Sequence, residues 1–276
     1  MAYAIKCFTE ALNIQEDFET MNHLVSAYSM ANQTEKALDT LNRMVEMEPE
    51  HIQTLLTRVS VLFMLDKEAE VIADCLRVIE LDESNHLAWF LMAKAKRTTG
   101  DQLGAIADLT KAIALKDDFT DAYLLRAEVL LAMKQGQEAL PDIEKAISLA
   151  PEEETTYLVR GKIHESLGDL DAAADDYQQA LDLNPFNEDA CILKGSLLIT
   201  KNLLDEAIVF FDEAIEIKPD FAKAYAERGR AKNLKGDKEG AFEDLKKSIE
   251  LNPEGEEAKK FEGQHANFEN KTYMPF

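Results

Sequence analysis

The chain of 276 residues carries 53 acidic against 30 basic side chains, a formal net charge of −23. A field of that sign repels phosphate backbones and anionic headgroups, so nucleic acid and membrane insertion are excluded from the expected partners. Hydrophobic residues make up 46%, while Gly (11) and Pro (7) are few, which gives the material for a core and the composition of an all-α fold.

In chain order, residues 1–17 place Ala4, Phe8, Ala11 and Leu12 at helical spacing. They read as the second helix of a repeat whose first helix is absent, so the chain is expected to start in mid-repeat. No basic start leads into a long apolar run here, and no later stretch approaches the roughly 18 apolar residues of a membrane helix. Cys7, Cys75 and Cys191 are an odd, scattered set, which fits neither a disulfide framework nor a zinc site. A soluble, cytoplasmic protein is the expectation.

From residue 18 the sequence repeats every 34 residues, as 18–51, 52–85, 86–119, 120–153, 154–187, 188–221 and 222–255. Pro49, Pro151, Pro185, Pro219 and Pro253 share one register, with Glu83 and Asp117 at its two remaining points. Each of these prolines discourages a second helix from continuing. A small-residue register holds Ala37, Val71, Ala105, Ala139, Ala173, Ala207 and Ala241, and another holds Val25, Val59, Ala93, Ala127, Gly161, Gly195 and Gly229. Small residues let two helices approach closely, and the large register Met21, Leu55, Trp89, Tyr123, Tyr157, Cys191 and Tyr225 is expected to fill the space beside them. Asn32, Gly100, Gly168, Asn202 and Gly236 stand where first helices stop, and both residue types tolerate the left-handed conformation of a helix end. After the last repeat, 256–268 is polar and helix-compatible, as a capping helix would be. Residues 269–276 form an aromatic tail, whose Tyr273, Met274 and Phe276 are expected to dock on this solenoid or on a neighbouring copy.

A helix–turn–helix of 34 residues with these registers resembles the tetratricopeptide repeat family over residues 18–255. The resemblance implies a right-handed superhelix of antiparallel helix pairs, with first helices lining a concave groove. Carried over by repeat position, it puts Leu56, Phe90, Leu124, Leu158 and Ile192 in one row along that groove. Ser60, Lys94, Glu128, Lys162 and Ser196 run beside it, Phe63, Arg97, Leu131, Glu165 and Ile199 form a third row, and Arg230 lies near the far end. An apolar stripe interleaved with charges of both signs suits an extended or helical peptide. Some family members hold a chain-terminal carboxylate in a Lys/Asn/Arg clamp. The matching windows here, Asn22, Ser26 and Thr57, and Phe90, Lys94 and Leu125, lack the basic cluster, so that ligand is disfavoured.

A further regularity comes from the residues themselves. Arg58, Arg126, Arg160 and Arg228 are followed sixteen residues later by Asp74, Asp142, Asp176 and Asp244. Leu24 faces Thr40 and Lys194 faces Phe210 in repeats without the pair, and Asp108, opposite Met92, is the one acid without its arginine. The pairs read as structural ion pairs that lock two helices, suited to guanidinium–carboxylate geometry. The five histidines show no metal-ligand spacing, and no phosphate loop or nucleophile elbow is present. The expected function is a non-enzymatic scaffold, without cofactor or metal, that binds a protein or peptide. The alternatives are a self-assembly module that forms homo-oligomers through the termini, or the interaction portion of a larger enzyme or sensor system.

Overall fold

The computed structural model describes residues 2–255. The expected capping helix 256–268 and the tail, with the contacts assigned to Tyr273, Met274 and Phe276, lie outside the described residues. Those described fold into fifteen α-helices with no strand among them, in two compact units that divide between Leu149 and Ala150.

The first unit holds α1 (Ala2–Ile14) followed by four helix pairs. These are α2 (Phe18–Met30) with α3 (Thr34–Met47), α4 (Ile52–Phe63) with α5 (Glu68–Leu81), α6 (His86–Thr98) with α7 (Gln102–Leu115), and α8 (Thr120–Ala132) with α9 (Gly136–Leu149). The second unit holds three pairs: α10 (Glu154–Ser166) with α11 (Leu170–Leu183), α12 (Glu188–Thr200) with α13 (Leu204–Ile217), and α14 (Ala222–Lys235) with α15 (Lys238–Leu251). Within each unit every helix packs on its chain neighbours.

Local chemistry sets where the helices begin and end. Asn85, Asp101, Asp169, Asn187 and Asp237 each accept a hydrogen bond from the backbone N–H three residues on, satisfying one of the orphan donors of a helix start. Past each first helix one register lies in the left-handed region in all seven repeats. Gly100, Gly168 and Gly236 adopt it there, and so do Asn32, Asp66, Lys134 and Asn202. Asp66 and Lys134 were not among the expected helix-ending residues, and a side chain with a Cβ adopts this conformation only at a cost.

The close approach of paired helices differs in one respect from the expectation. The bulk that fills the space at the small first-helix register comes from the second helix. A Cβ on Gly161 would lie 2.5 Å from the Tyr177 ring, and one on Gly195 2.5 Å from the Phe211 ring. In the first unit the same two registers hold Val59 and Cys75, Ala93 and Leu109, and Ala127 and Ile143, all fully buried. Of the register expected to fill that space, Met21, Leu55 and Cys191 are buried, while Trp89, Tyr157 and Tyr225 reach back to the preceding turn. Their side chains donate to the backbone carbonyls of Glu83, Pro151 and Pro219, at 3.1, 3.1 and 3.3 Å.

Candidate functional site

Two sets of side chains stand out: cation–carboxylate locks between paired helices, and the face shared by first helices of adjacent repeats.

The locks are bidentate. Arg126 donates from Nε and Nη2 to the two Asp142 carboxylate oxygens at 2.7 and 2.6 Å. Arg58 meets Asp74 at 2.7 and 2.5 Å, and Arg228 meets Asp244 at 2.9 and 2.5 Å. Arg160 Nη2 donates to Asp176 Oδ1 at 2.6 Å, with Nε at 3.0 Å. The remaining Nη1 reaches the second helix of the preceding repeat: Arg58 to Asn42 (3.1 Å), Arg126 to Thr110 (2.9 Å) and Arg228 to Asp212 (2.5 Å). One guanidinium thus ties three helices. The ring one turn earlier lies under it, with Tyr123, Tyr157 and Tyr225 centroids 5.9, 5.5 and 5.4 Å from the Arg126, Arg160 and Arg228 guanidinium carbons. The Arg126 guanidinium is pushed up from its ordinary value, first by its hydrogen bond to Asp142. These arginines are committed to the fold.

A second partner of the acid, twelve residues before it, was missed in the sequence. Lys232 lies 2.8 Å from Asp244, His164 3.7 Å from Asp176, and Lys96 2.7 Å from Asp108. Asp108 is therefore not the unpartnered acid the arginine register suggests. Lys96, Leu130, His164, Leu198 and Lys232 share one register, so a Lys or His at that spacing was the available signal. The two acids differ in consequence. Burial pushes the Asp244 carboxyl up, but hydrogen bonds from Arg228 and Lys232 outweigh it and hold the group below its ordinary value. At Asp108 burial prevails over the single lysine, and the value is raised. Where the lock is absent, Lys194 lies 4.9 Å from the Phe210 ring centroid and donates to Gln178.

On the first-helix face of the first unit, Leu56, Phe63, Phe90, Leu124 and Leu131 are each partly exposed. Side chains of adjacent repeats meet there directly. Lys94 Nζ lies 5.2 Å from the Phe63 ring centroid, and Arg97 Nη1 is 2.5 Å from Glu128 Oε2. Ser60 is exposed and its hydroxyl donates to the Leu56 carbonyl of its own helix. Met30, the last residue of α2, and Met64, which follows α4 one repeat later, are 73% and 69% exposed.

The same registers in the second unit have another fate, which corrects the expected apolar stripe. Leu158, Ile192 and Ile199 are 7%, 1% and 7% exposed and belong to the hydrophobic core with Tyr177 and Phe211. Their apolar surface is already spent on the fold. Glu165, expected to face a ligand, accepts the Tyr177 hydroxyl at 2.9 Å and satisfies a buried polar group. Ser196 is half-buried, Lys162 is exposed, and Arg230 is exposed with Glu227 of its own helix 3.2 Å away. The buried thiols of Cys75 and Cys191 are pushed up to about 12 and about 11, first by burial, far from the thiolate form that chemistry requires. Among the described residues no group of His, Cys, Asp or Glu side chains converges as a metal site would, and no helix is long and apolar enough to cross a membrane.

Antiparallel helix pairs on one repeating register, several of them locked by an ion pair, define a helical-repeat fold. The chain is a tetratricopeptide repeat protein: one model of that repeat matches residues 158–220, and a second matches 120–153 and 222–254. No curated protein matches the sequence. Among solved structures, MamA is similar at 26% identity over 60% of this chain and 91% of its own, with a TM-score of 0.53. YrrB, described as a TPR protein with an unusual peptide-binding site, is 24% identical over 68% of this chain and 97% of its own, with a TM-score of 0.52. A tetratricopeptide repeat protein from Parabacteroides merdae ATCC 43184 has a higher TM-score, 0.72, at 15% identity, covering 88% of this chain and 96% of its own.

Proposed function

We propose that this protein is a non-enzymatic interaction scaffold that binds a peptide or protein segment on the first-helix face of its first unit. The observation that carries the reading is the contrast within one set of registers: Leu56, Phe63, Phe90, Leu124 and Leu131 keep accessible apolar surface, while Leu158, Ile192 and Ile199 do not. Apolar anchors beside charged groups supply the two things a segment needs to dock, buried area and orientation. The face is built on helices held by the Arg58 and Arg126 locks, so a ligand meets a surface already organised and loses less freedom on binding. An array of short peptides of varied sequence, probed with the full chain, tests it. Phe90→Ser should weaken the captured peptides more than about tenfold, the size expected for truncating an anchor. Ser60→Trp, which obstructs the same exposed face without opening the core, should do likewise with an unchanged melting temperature. Retained binding in both variants would remove the face from the function.

A further inference from the structure

We propose that this face selects an apolar segment carrying an acidic side chain, whose carboxylate sits at Lys94; the inference rests on the reading above and names the ligand's chemistry. The C-terminal half of α6 holds three cations, Lys94, Lys96 and Arg97. Lys96 is taken by Asp108 at 2.7 Å and Arg97 by Glu128 at 2.5 Å. Lys94 has no acidic partner among the described residues, in a chain with 53 acids to offer one. Its ammonium lies 5.2 Å from the Phe63 ring centroid, on the face where Phe90 and Leu56 are partly exposed. A cation placed over an aromatic ring keeps its whole charge while one side of it is shielded from water, so it faces an arriving carboxylate ready to pair.

The apolar part of the ligand has a fitting surface. Met64 follows Phe63 directly, Met30 holds the same register one repeat earlier, and both thioethers are exposed. Methionine adapts its shape to a partner better than branched side chains do, and it recurs on surfaces that accept varied apolar segments. In the second unit the register of Met30 and Met64 holds Ser166 and Thr200, and then Leu234. The Lys94 register there holds Lys162 and Ser196, beside apolar residues that are buried. In the first unit an acid-free ammonium and open apolar surface meet in one contact, Lys94 over Phe63, whereas in the second unit the exposed Leu234 stands one turn from Arg230, which Glu227 already holds. The overall charge of −23 opposes an acidic ligand at long range, but at physiological salt it is screened beyond roughly 8 Å, which leaves the contact group to decide.

Three fluorescent peptides of alternating leucine and serine, identical except for a central Glu, Gln or Lys, test the inference on the full chain at physiological ionic strength. The Glu peptide should bind about fivefold tighter than the Lys peptide, the scale of an exposed ion pair set against a like-charge contact. Lys94→Glu should reverse that order, whereas Lys223→Glu, at an exposed position on α14, should leave it as it is. Equal binding of the three peptides, a preference for the Lys peptide, or a reversal by Lys223→Glu would overturn the inference. Equal binding that Phe90→Ser abolishes would overturn the acid preference alone and leave the proposed function standing. If none of the three binds, both fall.

Discussion

The two units fill the same space with a different division of bulk between the paired helices. In the second unit the first helix gives up its side chain at Gly161 and Gly195, and the second helix answers with Tyr177 and Phe211. In the first unit the first helix keeps Val59, Ala93 and Ala127, and the second helix brings Cys75, Leu109 and Ile143. The volume between helices is nearly conserved while the share each helix contributes shifts, as close packing demands. A second contrast accompanies it. Apolar residues on the first helices are drawn into the core of the second unit but remain partly open on the first. A repeat array thus holds its backbone pattern constant while individual repeats choose where apolar surface is spent.

Asp244→Ala should destabilise the second unit by about 3 kcal/mol, because it leaves the partly buried Lys232 without its acid and Arg228 with only the exposed Asp212. Urea unfolding at neutral pH measures this. The folded Asp244 carboxyl lies below its ordinary value of 3.8, so its contribution is complete above about pH 4 and is lost as pH falls through the depressed value. A wild-type and mutant difference that persists into strong acid would contradict the assignment. Gly195→Ala comes next, at about 1–3 kcal/mol destabilising, since the fully buried Phe211 ring has no room to yield. Ala127→Gly, the converse change in the first unit, should cost roughly 1 kcal/mol through backbone freedom in mid-helix. If both changes are neutral, the slot is not the tight fit described.

Asp108→Asn should move stability by less than about 1 kcal/mol at neutral pH, because the amide keeps the side chain's shape and removes the burial penalty of the ionised carboxylate together with its attraction to Lys96. Asp108 has its value raised, so the folded state takes up its proton more readily than the unfolded chain does. Its ionised form therefore counts against folding at neutral pH, and that penalty is relieved as pH falls through the raised value. The asparagine variant should lose this acid-side gain, which a pH series of melting temperatures reads directly. The smallest effect is a gain: Lys134→Gly, at φ +62°, should stabilise the first unit by up to about 1 kcal/mol by removing a left-handed side chain. A loss there would show the Lys134 side chain to hold a contact that outweighs its backbone cost.

The repeat and its helices were legible because period, helix ends and apolar spacing are local properties that seven copies restate. Pro49 and its counterparts, or Gly100, Gly168 and Gly236, carry their meaning within one turn. The Arg–Asp spacing of sixteen was readable because presence and absence vary together across repeats. Two features were hidden. The Lys96–Asp108 contact spans a different interval from the arginine locks, so a search along one register passes it by. The burial of Ile192 and Ile199 depends on side-chain size in the partner helices, which a row of equivalent positions does not record. Family position places a residue on a helix face, and packing decides whether that face stays open.

The most direct test of the account follows methyl resonances of methionine, leucine and isoleucine in the full chain during titration with a peptide captured by the array. Met64, Leu56 and Leu124 should shift with ligand, while Leu158, Ile192 and Ile199, packed in the second unit's core, stay in place. Shifts concentrated on Leu158, Ile192 and Ile199, with Met64 and Leu56 unmoved, would contradict it.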